Sequence, residues 1–216
     1  PPPYCCIILL CTRLEELLAT TKSRCQLVRF GPITEERIIA KLKEMGIEQK
    51  KSQFFARLSQ GSIGHACRLA MLEQSGAEIY ETKAKLVKTL ADLKYADAVK
   101  KAERFLAMEK DIAVVWQKLD ASTSKTDINR RVEKLFVHII ISALTDFMRS
   151  AALPGKPMIN VDQKETILRM AGRFETEQAA EKISNCYKSL RWIDDSVNEK
   201  LIFEDLLLNL AGSDKM

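Results

Sequence analysis

Glycine and proline are both missing between Ala77 and Leu153, a gap that only a helical region tolerates comfortably. Cys-x-x-Cys is missing as well. The two histidines, His65 and His138, stand far apart in the sequence, and neither lies beside a cysteine pair, so no metal site and no disulfide framework is offered. The six cysteines (Cys5, Cys6, Cys11, Cys25, Cys67, Cys186) read instead as buried, reduced thiols of a cytoplasmic protein. There is no Gly-x-x-x-x-Gly-Lys-[Ser/Thr] loop, no Gly-x-Gly-x-x-Gly turn, no His-x-x-Glu-His-type metal site and no Gly-x-Ser-x-Gly elbow, which removes the common phosphate cradles and the exposed serine nucleophile. The longest uninterrupted apolar stretch, Cys5–Cys11, falls far short of the roughly 20 residues of a membrane helix. No basic residue precedes it, so neither a membrane span nor a secretory signal is expected. Charge is not concentrated either. Against 29 Asp and Glu there are 34 Lys and Arg, a net +5 spread along the chain, without the basic stripe of a stand-alone nucleic-acid binder.

What is present is a chain of 216 residues, 46% hydrophobic, enough for one or two folded domains. Tyr4–Cys11 is a continuous Ile- and Leu-rich run bounded by three prolines and Thr12, the pattern of a strand buried on both faces. Arg13–Lys22 has helical character, with Leu14, Leu17 and Leu18 on one face, and Cys25–Phe30 is a second short apolar run ending at Gly31-Pro32. Strand, helix and strand in about 30 residues make a βαβ unit. Two parallel strands expose both faces and both edges, and nothing later reads as a strand. Residues 1–31 are therefore expected to be the end of a larger α/β domain.

Residues 32–77 read as three short helices. Thr34 is placed to cap the first, with Glu35 and Glu36 at the positive end of its dipole. Ile38, Ile39, Leu42 and Met45 form its apolar face, and Gly46 ends it. A second helix covers about 48–59, with Phe54, Phe55 and Leu58 apolar, and Ser62 caps a third. Residues 78–216 read as about five helices, of which the segment around Ile128–Leu153 is the most apolar and so central to a bundle or an interface. The last helix, with Leu201, Ile202, Phe203, Leu206, Leu207, Leu208 and Leu210, is too apolar for a solvent-exposed tail. It either completes the bundle or packs on another chain.

Candidate chemistry is sparse. Glu15-Glu16 and Asp194-Asp195 are neighbours on helices, point about 100° apart and read as solvated faces. His65 and His138 read as structural. One segment stands out: Thr20-Thr21-Lys22-Ser23-Arg24-Cys25-Gln26, at the turn out of the first helix. An arginine there either projects a planar guanidinium suited to a neighbour's phosphate or caps the helix C-terminus.

The stretch Leu17–Gln26, preceded by an apolar run ending in Thr12, resembles the Ser-Arg-Cys segment of AAA+ clamp-loader subunits. Leu58-Ser59-Gln60-Gly61-Ser62-Ile63-Gly64 resembles the turn that opens the last lid helix in that family. Val197–Leu207 resembles the C-terminal helix of bacterial DNA polymerase III delta-prime subunits. The resemblance spans the chain and implies a mainly α fold. Residues 1–31 would be the βαβ end of the AAA+ ATPase-like domain, 32–77 a three-helix lid, and 78–216 a collar of roughly five helices that joins subunits in a ring, with Asn198, Leu201, Leu206 and Leu207 at the interface.

It further implies that Arg24, flanked by Ser23 and Cys25, is an arginine finger acting in trans, stabilising charge on a phosphoryl group in transfer. Thr12 falls at the sensor position of the central strand. ATP-binding members carry an Arg at the position of Gly64, and its lack here points to a non-hydrolysing, delta-prime-like subunit. Such a chain would bind no cofactor itself, ATP-Mg residing on the adjacent subunit. Its partners would be gamma/tau- and delta-type subunits and, indirectly, the sliding clamp and primed DNA, with no membrane. Two alternatives stand beside this: an ATP-hydrolysing gamma/tau-type subunit whose phosphate loop lies upstream, and a helical interaction scaffold in which Arg24 only caps its helix.

Overall fold

The computed structural model describes residues 2, 4–153, 155–172 and 175–211. The chain divides into two units, Pro1–Gly31 and Pro32–Met216.

The first unit is not βαβ. Tyr4–Cys11 and Cys25–Phe30 take up no regular secondary structure and join no strand ladder among the described residues. Ile8 is 78%, Leu10 93% and Phe30 91% exposed. An apolar run declares that a segment favours burial, yet a strand exists only when a second strand takes up its N–H and C=O groups. The expected helix is also cut short. Leu14–Glu16 forms a single 3₁₀ turn, Leu17 and Leu18 are extended, and α1 is only Ala19–Lys22. The thiols are free, as expected, but Cys5, Cys6, Cys11 and Cys25 are exposed, Cys67 is half-buried and Cys186 alone is buried. Burial pushes the Cys186 thiol up to about 12.

Every regular element described in the second unit is a helix. α2 (Glu35–Glu44) buries Ile38 and Leu42 and carries Glu35 and Glu36 in its first turn. Thr34 occupies the cap position, but its side chain makes no capping bond there. α3 (Gln49–Leu58) buries Phe54, Phe55 and Leu58. The turn into α4 (Ile63–Leu72) requires glycine at position 61. Its φ is +88°, its carbonyl accepts the Ile33 N–H at 3.0 Å, and a Cβ there would come within 2.3 Å of the Pro32 Cβ. Ser62 caps α4 by accepting the His65 N–H at 3.4 Å. One π-helical turn, Glu73–Ala77, then leads into α5 (Ile79–Ala91).

α6 (Ala98–Leu119), α7 (Lys125–Ala152), α8 (Lys164–Leu168), α9 (Thr176–Asp194) and α10 (Glu199–Ala211) complete the unit. With α5 this makes six described helices after residue 77 instead of about five, because the short α8 forms a separate piece. α7 is long and apolar enough, by length and composition alone, to cross a membrane. Here its apolar side packs against α5, α6, α8 and α9, burying Val132, Phe136, Ile139, Ile140 and Leu144. Three rings lock α6, α7 and α10 together: Phe105, Phe136 and Phe203 stand 6.0–6.2 Å apart, two of the pairs edge-on. α10 thus completes the bundle.

The blocks read as 32–77 and 78–216 share one core in this structure. The Phe54 ring of α3 meets Tyr80 of α5 edge-on at 5.8 Å. Arg57 donates to the Met158 carbonyl at 2.5 Å. Lys83 of α5, fully buried, donates to both carboxylate oxygens of Asp162 at 2.6 and 2.7 Å and lies 4.0 Å from the centre of the Tyr80 ring. Burial pulls its ammonium below the ordinary lysine range, against the opposing pull of Asp162.

Candidate functional site

Arg24 sits in the turn after α1, and it is exposed, as are Thr12, Ser23 and Cys25. The backbone explains what the turn does not need. The four carbonyls of α1 are all engaged: Ala19 O accepts from Ser23 N at 3.0 Å, Thr20 O from Ser23 Oγ at 3.2 Å, Thr21 O from Arg24 N at 3.2 Å and Lys22 O from Cys25 N at 3.4 Å. A helix end whose acceptors are satisfied this way has no orphan carbonyls for a guanidinium to cap. The ion pair in this unit joins Arg13 to Glu16 at 2.7 Å, and no carboxylate among the described residues pairs with Arg24. Its head group is free to engage an external anion.

Gly64 is in the first turn of α4, exposed, and a Cβ added to it meets nothing within 4 Å. Thr12 lies in a bend of the irregular N-terminal segment and not at a strand end. On α10, Asn198 caps the helix, its Oδ1 accepting from Lys200 N at 3.0 Å and Leu201 N at 3.4 Å. Leu201 is 59% exposed, whereas Leu206 and Leu207 are 1% and 0% exposed. As interface residues Leu206 and Leu207 need correcting: they are spent on the chain's own core, because helical periodicity turns them towards α6 and α9 and leaves Leu201 outside. The histidines are nearer in space than in sequence. Burial lowers the His65 pKa, and His138 on α7 adds to the effect.

Sequence reading missed a cluster of three carboxylates. Glu109 of α6, Glu133 of α7 and Glu199 at the start of α10 each bring one carboxylate oxygen within 4.8 Å of the other two. Glu109 and Glu133 are 2% and 5% exposed. Burial first, and then the neighbouring carboxylates, push Glu109 up to about 8. Burial, then Glu199, pushes Glu133 up to about 7. A signal existed: Phe105, Glu109, Ile112 and Trp116 follow the i, i+4, i+7 spacing of one helix face, which places a carboxylate on the buried side of α6.

These raised values set a sign for pH dependence. Above about pH 4.5 the unfolded chain releases these protons while the folded chain keeps them, so stability falls with rising pH until both groups are ionised, above about pH 8. Glu109→Gln removes one of the two titrations. In urea unfolding with chelator present, the stability of the variant relative to the parent is expected to grow between about pH 5 and about pH 8. A difference that stays flat or shrinks over that range would contradict the burial of this carboxyl.

Residues 107–212 match the family model described as DNA polymerase III, delta subunit, C terminal. The match begins within α6 and takes in α7, α8, α9 and α10, so this helical segment is similar to the C-terminal domain of a clamp-loader family. The description is of delta, coarser than the delta-prime assignment expected from the sequence. No curated protein matches the chain.

Proposed function

We propose that the chain is a delta-prime-like clamp-loader subunit with no active site of its own. It helps to assemble the cytoplasmic ring that places the sliding clamp on primed DNA. The match of residues 107–212 to the delta C-terminal family carries this reading. In it, residues 78–216 act as the collar, 32–77 as the lid and 1–31 as the end of an ATPase-like domain. Arg24 reaches ATP-Mg on an adjacent gamma/tau-type subunit. Two observations support its part: the guanidinium is exposed and its own helix end needs no further donor. Gly64, without a guanidinium at the family's nucleotide-contacting position, fits a subunit that hydrolyses nothing itself.

Mixing the chain with gamma/tau- and delta-type subunits and separating the products by size-exclusion chromatography tests the assembly. Co-elution is expected, and Leu201→Asp, which places a charge on the exposed side of α10, is expected to weaken it while leaving the helical circular dichroism unchanged. Failure of the parent chain to co-elute with either subunit would overturn the collar role.

A further inference from the structure

Three carboxyl groups facing one another inside a helical bundle can be charged together only when they are paired or bound to a metal, and otherwise they hold their protons. The cations around the cluster do not pair with it. On α7, Arg130 is turned to Asp127 at 3.3 Å and to the Ser196 hydroxyl at 2.6 Å, and Lys134 pairs with Asp194. On α10, Lys200 pairs with Glu204. Lys110 of α6 acts on Glu109, and Arg130 and Lys134 act on Glu133, only as nearby charges. Among the described residues, no ion pair includes Glu109, Glu133 or Glu199.

A second observation concerns Glu109 alone. Its side chain is 98% buried by its 2% residual exposure, and its Oε2 finds no hydrogen-bond partner among the described residues. An oxygen in that position is left without compensation in the protein itself. A cavity of about 260 Å³ opens beside two of the three carboxylates, between α7 and the start of α10. Glu133 and Glu199, though not Glu109, line it together with the oxygen-bearing Thr126, Asn129 and Ser196 and with Arg130, whose guanidinium is held by Asp127 and Ser196.

We infer that Glu109, Glu133 and Glu199 form a binding site for a divalent cation with hard oxygen ligands. All-carboxylate donor sets select such ions over zinc or copper. One carboxylate oxygen from each of the three lies within 4.8 Å of the other two, and calcium accepts such an irregular oxygen set more readily than magnesium, which demands near-ideal octahedral geometry. An ion held there would tie α6 and α7 to the first residue of α10. The site is independent of Arg24 and of the clamp-loader role.

The test is thermal unfolding of the full chain, first stripped with chelator and then titrated with calcium chloride, with magnesium chloride alongside. A saturable rise in Tm with calcium is expected, about 5–10 °C once the ion is in hundredfold excess over its Kd, with a smaller rise for magnesium. Glu109→Gln is expected to weaken calcium binding at least about tenfold, since affinity follows the charge count of the ligands. Glu199→Gln, at the half-buried rim of the cluster, is the second variant should Glu109→Gln fold poorly, and it is expected to behave alike. No rise with calcium in the parent chain, or an equal rise in both the parent and the folded variant, would overturn the site.

Discussion

Replacing Arg24 with Ala is expected to lower DNA-stimulated ATP turnover by the assembled clamp loader about 10³-fold, the lower end of what arginine fingers contribute in phosphoryl transfer. The chain's own stability should hardly move. Arg24 is exposed, and it makes no ion pair among the described residues. Surface substitutions of this kind stay within about 0.5 kcal/mol. That separation makes the measurement informative: a loss of turnover with unchanged Tm and unchanged co-elution places the defect at the neighbour's nucleotide and not in folding or assembly.

Arg24→Lys adds a second axis. A planar fork that engages phosphate oxygens in pairs is not replaced by a point charge, so the lysine variant should remain close to the alanine one. A guanidinium that served only as a positive charge at the end of α1 would tolerate the change. The engaged carbonyls from Ala19 to Lys22 already speak against that simpler role. Unchanged turnover in Arg24→Ala would remove the finger assignment and leave the helical assembly role standing.

The helices were legible in the sequence because each records its own burial. Ile38 and Leu42, Phe54, Phe55 and Leu58, and the long stripe of α7 repeat at 3.6-residue spacing, and the stops at Gly46 and Gly61 coincide with backbone at positive φ. Tyr4–Cys11 was misread because a fully apolar run carries no periodicity, and the decision between strand and coil rests on a partner that the run does not encode. Other features depend on distance along the chain. Lys83 meets Asp162, 79 residues on, and Arg57 meets Met158, 101 residues on. The carboxylate cluster draws on α6, α7 and α10. A single face could betray Glu109, but its convergence with Glu133 and Glu199 follows from how three helices pack. The same packing took Leu206 and Leu207 inside: an apolar C-terminal helix reads alike whether its partner is another chain or its own bundle.

Phe136→Ala is expected to destabilise the fold by about 3–5 kcal/mol, the range for deleting a buried ring from a core that relaxes only in part. Phe136 is fully buried and touches both other members of the aromatic trio, Phe105 at 6.1 Å and Phe203 at 6.2 Å. Edge-to-face pairs add about 0.5–1.5 kcal/mol each beyond the burial of area, and one such contact is lost with Phe105. The loss should be shared with Phe203→Ala. Each single change already breaks the trio, so the double variant should cost less than the sum of the two by about 0.5–3 kcal/mol. Urea unfolding followed by circular dichroism measures both quantities, with a lower midpoint and an unchanged slope as the mark of a stability change alone. A cost below about 1 kcal/mol for Phe136→Ala, or strict additivity with Phe203→Ala, would show that α6, α7 and α10 are not held together at this point.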